Sequence, residues 1–304
     1  MAEGLCTGRV VVLTGAGNGI GRAHALAFAA EGAKVVVNDL GGSRDGTGSS
    51  AGPAQAVADE ITAAGGEAAA NTDDISSWAG AERLIRQAVD TFGGLDVVVN
   101  NAGILRDRMI VTMTEQDWDA VIAVHLKGTF AVLHHAAAYW RQRSKEGHAN
   151  DARVINTTSS SGLFANAGQG NYGAAKSGIA TLTIIAAKEL ERYGVTVNAI
   201  APTALTRLTE DVPMMSDATA STELSPETIS PLVVWLGSAE SRPVTGRVFS
   251  VWGNAITVIE GWVNGPSVSR DSHWDPAALT AVVPDLVAKA APNAGMLGTR
   301  KPVD

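Results

Sequence analysis

Tyr172 and Lys176 stand four positions apart, a spacing that puts both side chains on one face of a helix. A free phenol has a pKa of about 10, too high for a base near neutrality. A neighbouring ammonium favours the phenolate, so the pair is expected to lower that value and exchange a proton with a hydroxyl or carbonyl. Ser159 closes a short apolar run and can hydrogen-bond the same oxygen. Alone, a tyrosine–lysine pair at this spacing is a common coincidence. It gains meaning from a glycine-rich segment near the start of the chain, "TGAGNGIG" over Thr14–Gly21.

That segment follows one apolar run and opens a helical pattern. Gly15, Gly19 and Gly21 there let a backbone approach a pyrophosphate seated on the helix N-terminus. Asn18 and Ile20 lie in the same turn and are candidate cofactor contacts. Asp39 ends the second apolar run, 20 positions after Gly19. An acid there accepts hydrogen bonds from an adenosine ribose and repels a 2′-phosphate. No lysine or arginine occupies 16–18, so the reading is NAD rather than NADP; Arg44, in the loop beyond Asp39, is the residue that argues otherwise.

The elements that must hold these residues are read from periodicity. Short β-branched runs occur at Val10–Leu13, Lys34–Asn38, Glu67–Asn71, Leu95–Asn100, Arg153–Thr157, Val195–Ile200 and Arg247–Val251. They are nearly continuous, as strands buried on both faces are. Helical patterns lie between them, at Gly19–Ala30, Pro53–Ala64, Ser77–Phe92, Glu115–Arg143, Tyr172–Tyr193 and Pro226–Leu236. Gly32 and Gly194 sit where left-handed caps end helices. The alternation predicts an α/β fold: a doubly wound parallel sheet of about seven strands with helices on both faces.

Two stretches break the pattern. Gly41–Gly52, "GGSRDGTGSSAG", is either a flexible insertion or a loop that orders over cofactor or substrate. The chain is expected to divide into a cofactor-binding and catalytic domain over residues 1–262 and a C-terminal extension over 263–304. The extension carries a short helix at Pro276–Lys289 and packs on the domain or on a neighbouring subunit.

Composition narrows the function classes. An apolar fraction of 45% with 18% charged residues supports a sizeable core. A formal net charge of −8 argues against a nucleic-acid surface. The single cysteine, Cys6, excludes an internal disulfide and a cysteine zinc site, and no metal is expected. No run of about 18 apolar residues and no signal peptide is seen, so no membrane partner and a cytoplasmic location are expected.

Four motifs in order, "TGAGNGIG", "NNAG" at Asn100–Gly103, the serine run from Ser159 and "YGAAK" from Tyr172, resemble the short-chain dehydrogenase/reductase family over about residues 5–255. The resemblance implies a Rossmann-type fold and hydride transfer between a nicotinamide and an alcohol or ketone. It selects Ser159 over Ser160 and Ser161, because the family's serine lies thirteen residues before the tyrosine. It makes Tyr172 the acid/base and gives Lys176 the nicotinamide ribose. It assigns cofactor contacts to Asp74 and Ile75, to Asn101, Ala102 and Gly103, and to Pro202, with Asp73 an alternative to Asp74. It also implies a homodimer or homotetramer built on the two long helices.

The chain departs from the family at two places. His125 of "VHLKG" stands where an asparagine supports a water-linked proton path, so its side chain is a candidate for that relay. Pro202 is followed by Thr203 rather than glycine. The strings "VVVNDLGG", "NNAGILRDR", "VHLKG" and "GQGNY" resemble the (3R)-hydroxyacyl-CoA dehydrogenase domain of peroxisomal multifunctional β-oxidation enzymes, standing here as a separate, bacterial-type relative. That resemblance implies a 3-hydroxyacyl-CoA thioester as substrate. Met214 and Met215 are then candidates to line an acyl pocket, and Arg106, Arg108 and Arg207 to meet coenzyme A phosphates. A hydroxysteroid or steroid-CoA dehydrogenase is the enzymatic alternative. A nucleotide sensor without turnover is the alternative of another class.

Overall fold

The computed structural model describes residues 4–204 and 224–300. The described elements run β1 (Val10–Thr14), α1 (Gly19–Ala30), β2 (Lys34–Asn38), α2 (Gly52–Ala63), β3 (Glu67–Asn71), α3 (Trp78–Phe92) and β4 (Val97–Asn100). Then come α4 (Glu115–Ile122), α5 (Gly128–Lys145), β5 (Ala152–Thr157), α6 (Ser160–Phe164), α7 (Gly170–Leu190) and β6 (Val195–Thr203). After the gap follow α8 (Ser230–Gly237), β7 (Val248–Trp252), β8 (Ala255–Ile259) and α9 (Pro276–Lys289).

The strands form one sheet in the order β3-β2-β1-β4-β5-β6-β7-β8. The seven expected strands are all present and parallel; an eighth, β8, pairs antiparallel with β7. The direction reverses because Gly253 and Asn254 alone connect the two, and Gly253 takes φ +53. A two-residue hairpin turn needs that positive φ, and a parallel crossover needs far more chain.

Alternation along each strand divides the core into two layers. Val11, Leu13, Val35, Val37, Val97 and Val99 pack with α1, α2 and α8. Val10, Val12, Val36, Val98, Val154 and Val197 pack with α3, α5 and α7 on the opposite face. Trp140 of α5 is fully buried in the second layer, and its indole N–H donates to Leu95 O at 2.8 Å.

The helix expected over 115–143 forms, but with an interruption. Ala123–Lys127 is a π-helical turn between α4 and α5, and the helix continues to Lys145. Such bulges rotate one residue out of register, frequently at functional sites; here His125 is the residue turned fully inward. Taken whole, Glu115–Lys145 is long and apolar enough, by length and composition, to cross a membrane, but its inner face packs against α3, α7 and β4.

The strand order reverses between β1 and β4. In open α/β sheets the crevice at the carboxyl ends of strands flanking such a point is where ligands bind.

Candidate functional site

The glycine loop is shaped by what glycine permits. Gly15 has φ +62 and Gly19 φ +51. A Cβ on Gly15 would lie 2.6 Å from Ala102 Cα, and one on Gly21 2.1 Å from Gly15 O. The loop after β4 is bound to it directly. The Thr14 hydroxyl accepts from the backbone N–H of Asn101 at 3.0 Å and of Ala102 at 3.1 Å, while Asn101 Nδ2 donates to Thr14 O and Gly15 O. The sequence reading had no role for Thr14, whose side chain joins the two halves of the crevice.

Asp39 lies one residue beyond β2 rather than within it, which frees its carboxylate to turn back. It accepts Gly17 N–H at 2.8 Å and Gly41 N–H at 2.7 Å and is 8% exposed. The acid is therefore fixed at the lip of a cavity of about 340 Å³. Gly15, Asn18, Gly19, Ile20, Asp74 and Ile75 line this cavity, together with Asn101, Ala102 and Gly103. Asp73 lines it too, but its carboxylate is held by Arg83 at 2.6 Å and by Asn71 Nδ2. The Asp74 carboxylate accepts the Ser76 backbone N–H and hydroxyl, both on Oδ1. Ile75 seats where Gly128 leaves room, since a Cβ on Gly128 would lie 2.3 Å from its Cδ1.

The 41–52 loop is not a loose insertion. Ser50 N–H returns to Leu40 O, Ser43 and Thr47 bond each other, and Gly42, Ser43 and Gly46 wall the same cavity. Arg44 does not line it; Arg44 faces two neighbouring cavities instead.

The larger of those cavities, about 930 Å³, gathers Ser159, Tyr172, Lys176, His125 and Pro202. Ser159 is the extended N-cap residue of α6, and its oxygen accepts from Ser161 N–H at 3.2 Å. The Ser161 hydroxyl is taken by Gln169 Oε1 at 2.6 Å. Tyr172 and Lys176 lie on the first turns of α7, which begins two residues earlier than expected. Lys176 is 3% exposed; its Nζ donates to Thr157 O at 2.6 Å and lies 5.6 Å from the Tyr172 ring centre.

Burial dominates the electrostatics of this pair. Burial raises the Tyr172 pKa above its ordinary value, the Ser159 hydroxyl pulls it back, and Asp107 raises it further. Burial also pushes Lys176 down to about 7. Burial thus disfavours the charged form of both groups, the phenolate and the ammonium.

His125 is 2% exposed, and burial first, then Lys176, push its pKa down to about 3. Nε2 lies 3.0 Å from Ile104 N and 2.8 Å from Ile104 O, while Nδ1 has no protein partner. Its ring meets the Tyr172 ring edge-on at 5.2 Å. Gly103 is required beside it, because a Cβ there would fall 2.3 Å from His125 Cε1.

Several lining groups escaped the sequence reading. Gln169 ties Asp107 Oδ2 to the loop before Tyr172. Asn171 Nδ2 holds Arg106 O and Asp117 O. Most unexpected is the tail: α9 buries no residue, yet the chain beyond it returns and Met296, Leu297 and Gly298 line the large cavity. Gly298 lies against the Phe164 ring. The apolar pair Met296–Leu297 between glycines was the signal available. Arg207, Met214 and Met215 lie outside the described residues.

The family model of short-chain dehydrogenases matches residues 9–216. Across 303 aligned residues the chain is 44% identical to the hydroxyacyl-CoA dehydrogenase ChsB1 of Mycobacterium tuberculosis, covering 96% of this chain and 93% of that one. It is 46% identical to the peroxisomal multifunctional enzyme type 2 of Mus musculus over 80% of this chain and 31% of the longer enzyme. A crystal structure of a short chain dehydrogenase from Mycobacterium avium superposes with TM-score 0.87 at 59% identity, covering 96% of this chain and 99% of that one. With the ordered motifs, the reversed strand order and these matches, the chain belongs to the short-chain dehydrogenase family and is an oxidoreductase acting on CH–OH groups.

Proposed function

We propose that this enzyme oxidises a (3R)-3-hydroxyacyl-CoA to the 3-oxoacyl-CoA with NAD. The observation that carries the reading is the large cavity itself, about 930 Å³, with Ser159 and Tyr172 at one end and Phe164, Trp252, Met296 and Leu297 along it. A long apolar chain fits such a space, and a small alcohol would leave it unfilled. The names of two relatives, a hydroxyacyl-CoA dehydrogenase and a peroxisomal multifunctional enzyme, support the same substrate class. The volume equally accommodates a fused-ring acyl group, which keeps a steroid-CoA ester as the second reading.

The residues present fit a dinucleotide. A Cβ on Gly15 or Gly21 would strike backbone, so glycine lets the loop pack closely beside the small cavity, and Asp39, which lines that cavity, is held by two backbone N–H groups. NAD is preferred because Asp39 borders this cavity while Arg44 lines the other two. When bound, NAD accepts the hydride. Ser159 holds the substrate oxygen, and Tyr172 exchanges its proton. Lys176, held by Thr157 O with Nζ 5.6 Å from the Tyr172 ring centre, supports that exchange. His125 acts as a positioning residue: through Nε2 it pins Ile104, while its Nδ1 is buried without a partner among the described residues.

Phe130, Ile184 and Ile185 are 44%, 38% and 46% exposed on α5 and α7, and a second copy of the chain is their proposed cover. A monomer by light scattering at micromolar concentration would reject that.

NADH formation measured across straight-chain 3-hydroxyacyl-CoAs, steroid-CoA esters and free hydroxysteroids tests the substrate. Turnover of the first class is expected, with loss of about a hundredfold or more in Tyr172→Phe. Bound NADH with no oxidation of any alcohol, in wild type and Tyr172→Phe alike, would instead favour the sensor reading.

A further inference from the structure

A third cavity, of about 490 Å³, lies between the 41–52 loop and residues 105–108. Arg44, Arg106 and Arg108 line it, with Asp45, Asp107 and Asp117. It shares Arg44, Leu105 and Asp107 with the cavity that holds Tyr172, so one ligand can occupy both. Residues 105–108 run between them: Leu105 and Asp107 reach both spaces, whereas Arg106 and Arg108 reach only the third.

Formal charge in this third cavity balances, but its carboxylates bond hydroxyl and N–H groups rather than Arg106 and Arg108. The Asp45 carboxylate turns into its own loop, accepting the Ser43 hydroxyl and the Thr47 N–H and hydroxyl. Asp117 Oδ2 accepts the Thr114 N–H and hydroxyl in the cap of α4, which hold its pKa down, and Arg108 and Arg106 lower it further from beyond ion-pair distance. Asp107 takes Gln169 Nε2 at 2.8 Å. Among the described residues the side chains of Arg106 and Arg108 bond only carbonyls: Arg106 Nε reaches Asp45 O at 2.9 Å and Nη1 Gln116 O at 3.5 Å, and Arg108 Nη1 reaches Asp107 O at 2.8 Å. Among the described residues neither guanidinium has a carboxylate partner, and the Nη2 groups of both have no protein acceptor.

Their backbone is held as well. Arg108 N–H donates to Gly168 O at 2.8 Å, Arg106 O accepts Asn171 Nδ2 at 2.9 Å, and Leu105 N–H donates to Arg44 O at 3.1 Å. These bonds join the arginine segment to the loop that carries Tyr172. Two guanidinium forks are thus fixed in place with unused donors at the mouth of the reaction cavity. Planar forks of this kind match phosphate oxygens.

We propose that this third cavity is a phosphate subsite, in which Arg106 and Arg108 grip the phosphates of a coenzyme A thioester whose acyl end lies beside Tyr172. The subsite rests on the acyl-CoA reading above, and its test is separable from it. The probes are a 3-hydroxyacyl-CoA and the same acyl group on N-acetylcysteamine, which lacks every phosphate. Arg106→Ala/Arg108→Ala raises KM for the CoA ester, about tenfold for each charged hydrogen bond lost. KM for the truncated thioester and for NAD stays within twofold. An equal rise for both thioesters, or a rise for NAD instead, overturns the subsite. So does an unchanged KM for the CoA ester. Calorimetry with free coenzyme A covers the case in which no thioester is oxidised. Binding by wild type and not by the variant upholds the subsite while the substrate reading falls, and equal or absent binding to both sinks it.

Discussion

His24 sits on α1, fully buried, with Nδ1 2.9 Å from the Ser230 hydroxyl and Nε2 without a partner. Burial pushes its pKa from an ordinary 6.5 to about 3. A histidine depressed in the folded state binds fewer protons there than in the unfolded chain. Its contribution is therefore intact above about pH 6.5 and is lost as pH falls toward 3. Over that window each pH unit costs about 1.4 kcal/mol, so lowering pH from 7.5 to 5.5 removes about 1.4 kcal/mol through His24, most of it below 6.5. His24→Asn keeps a polar atom near the Nδ1 position and cannot titrate. Urea unfolding of both proteins at pH 7.5, 6.5 and 5.5, at one protein concentration, isolates the effect. The variant starts less stable, and the gap narrows by about 1.4 kcal/mol at pH 5.5. A gap constant across that range would refute the argument, since it would mean that His24 titrates alike in both states.

Asp39→Ala relaxes the preference for NAD toward NADP, and a wild-type enzyme faster with NADP would sink the role of that acid. Gly128→Ala drives a methyl into Ile75 Cδ1, whose side chain borders the small cavity; it raises KM for NAD in initial-rate assays with little change in kcat. Ala165 holds φ +64 just after α6, a region that disfavours side chains, so Ala165→Gly gains about 1 kcal/mol in urea unfolding. Trp140→Ala empties a fully buried site and costs about 3–5 kcal/mol by the same measurement.

Where local pattern and tertiary structure agree, the sequence was readable. Lys34–Asn38, Glu67–Asn71 and Pro276–Lys289 fall on the expected residues, and Gly32 and Gly194 have φ +82 and +72. β8 was missed although Gly253–Asn254 between apolar runs is itself a hairpin signal. The π turn at Ala123–Lys127 has no periodic signature, because one extra residue per turn does not disturb an already apolar helix. The residues around the glycine-loop cavity and the cavity that holds Tyr172 were legible because backbone geometry demands glycine and the motifs recur in order. The proton balance was not, since Tyr172 and Lys176 shift with burial, a property of the whole fold. The contribution of Met296 and Leu297 depends on a tail whose path no local pattern encodes.

The Thr14 hydroxyl receives two N–H groups from the loop on the far side of the crevice. Both loops are therefore ordered before any dinucleotide arrives, and little chain entropy is left to lose on binding. Dinucleotide affinity can then follow the contacts made, while a valine at position 14 would strand two donors and make each binding event carry the cost of assembling its own site.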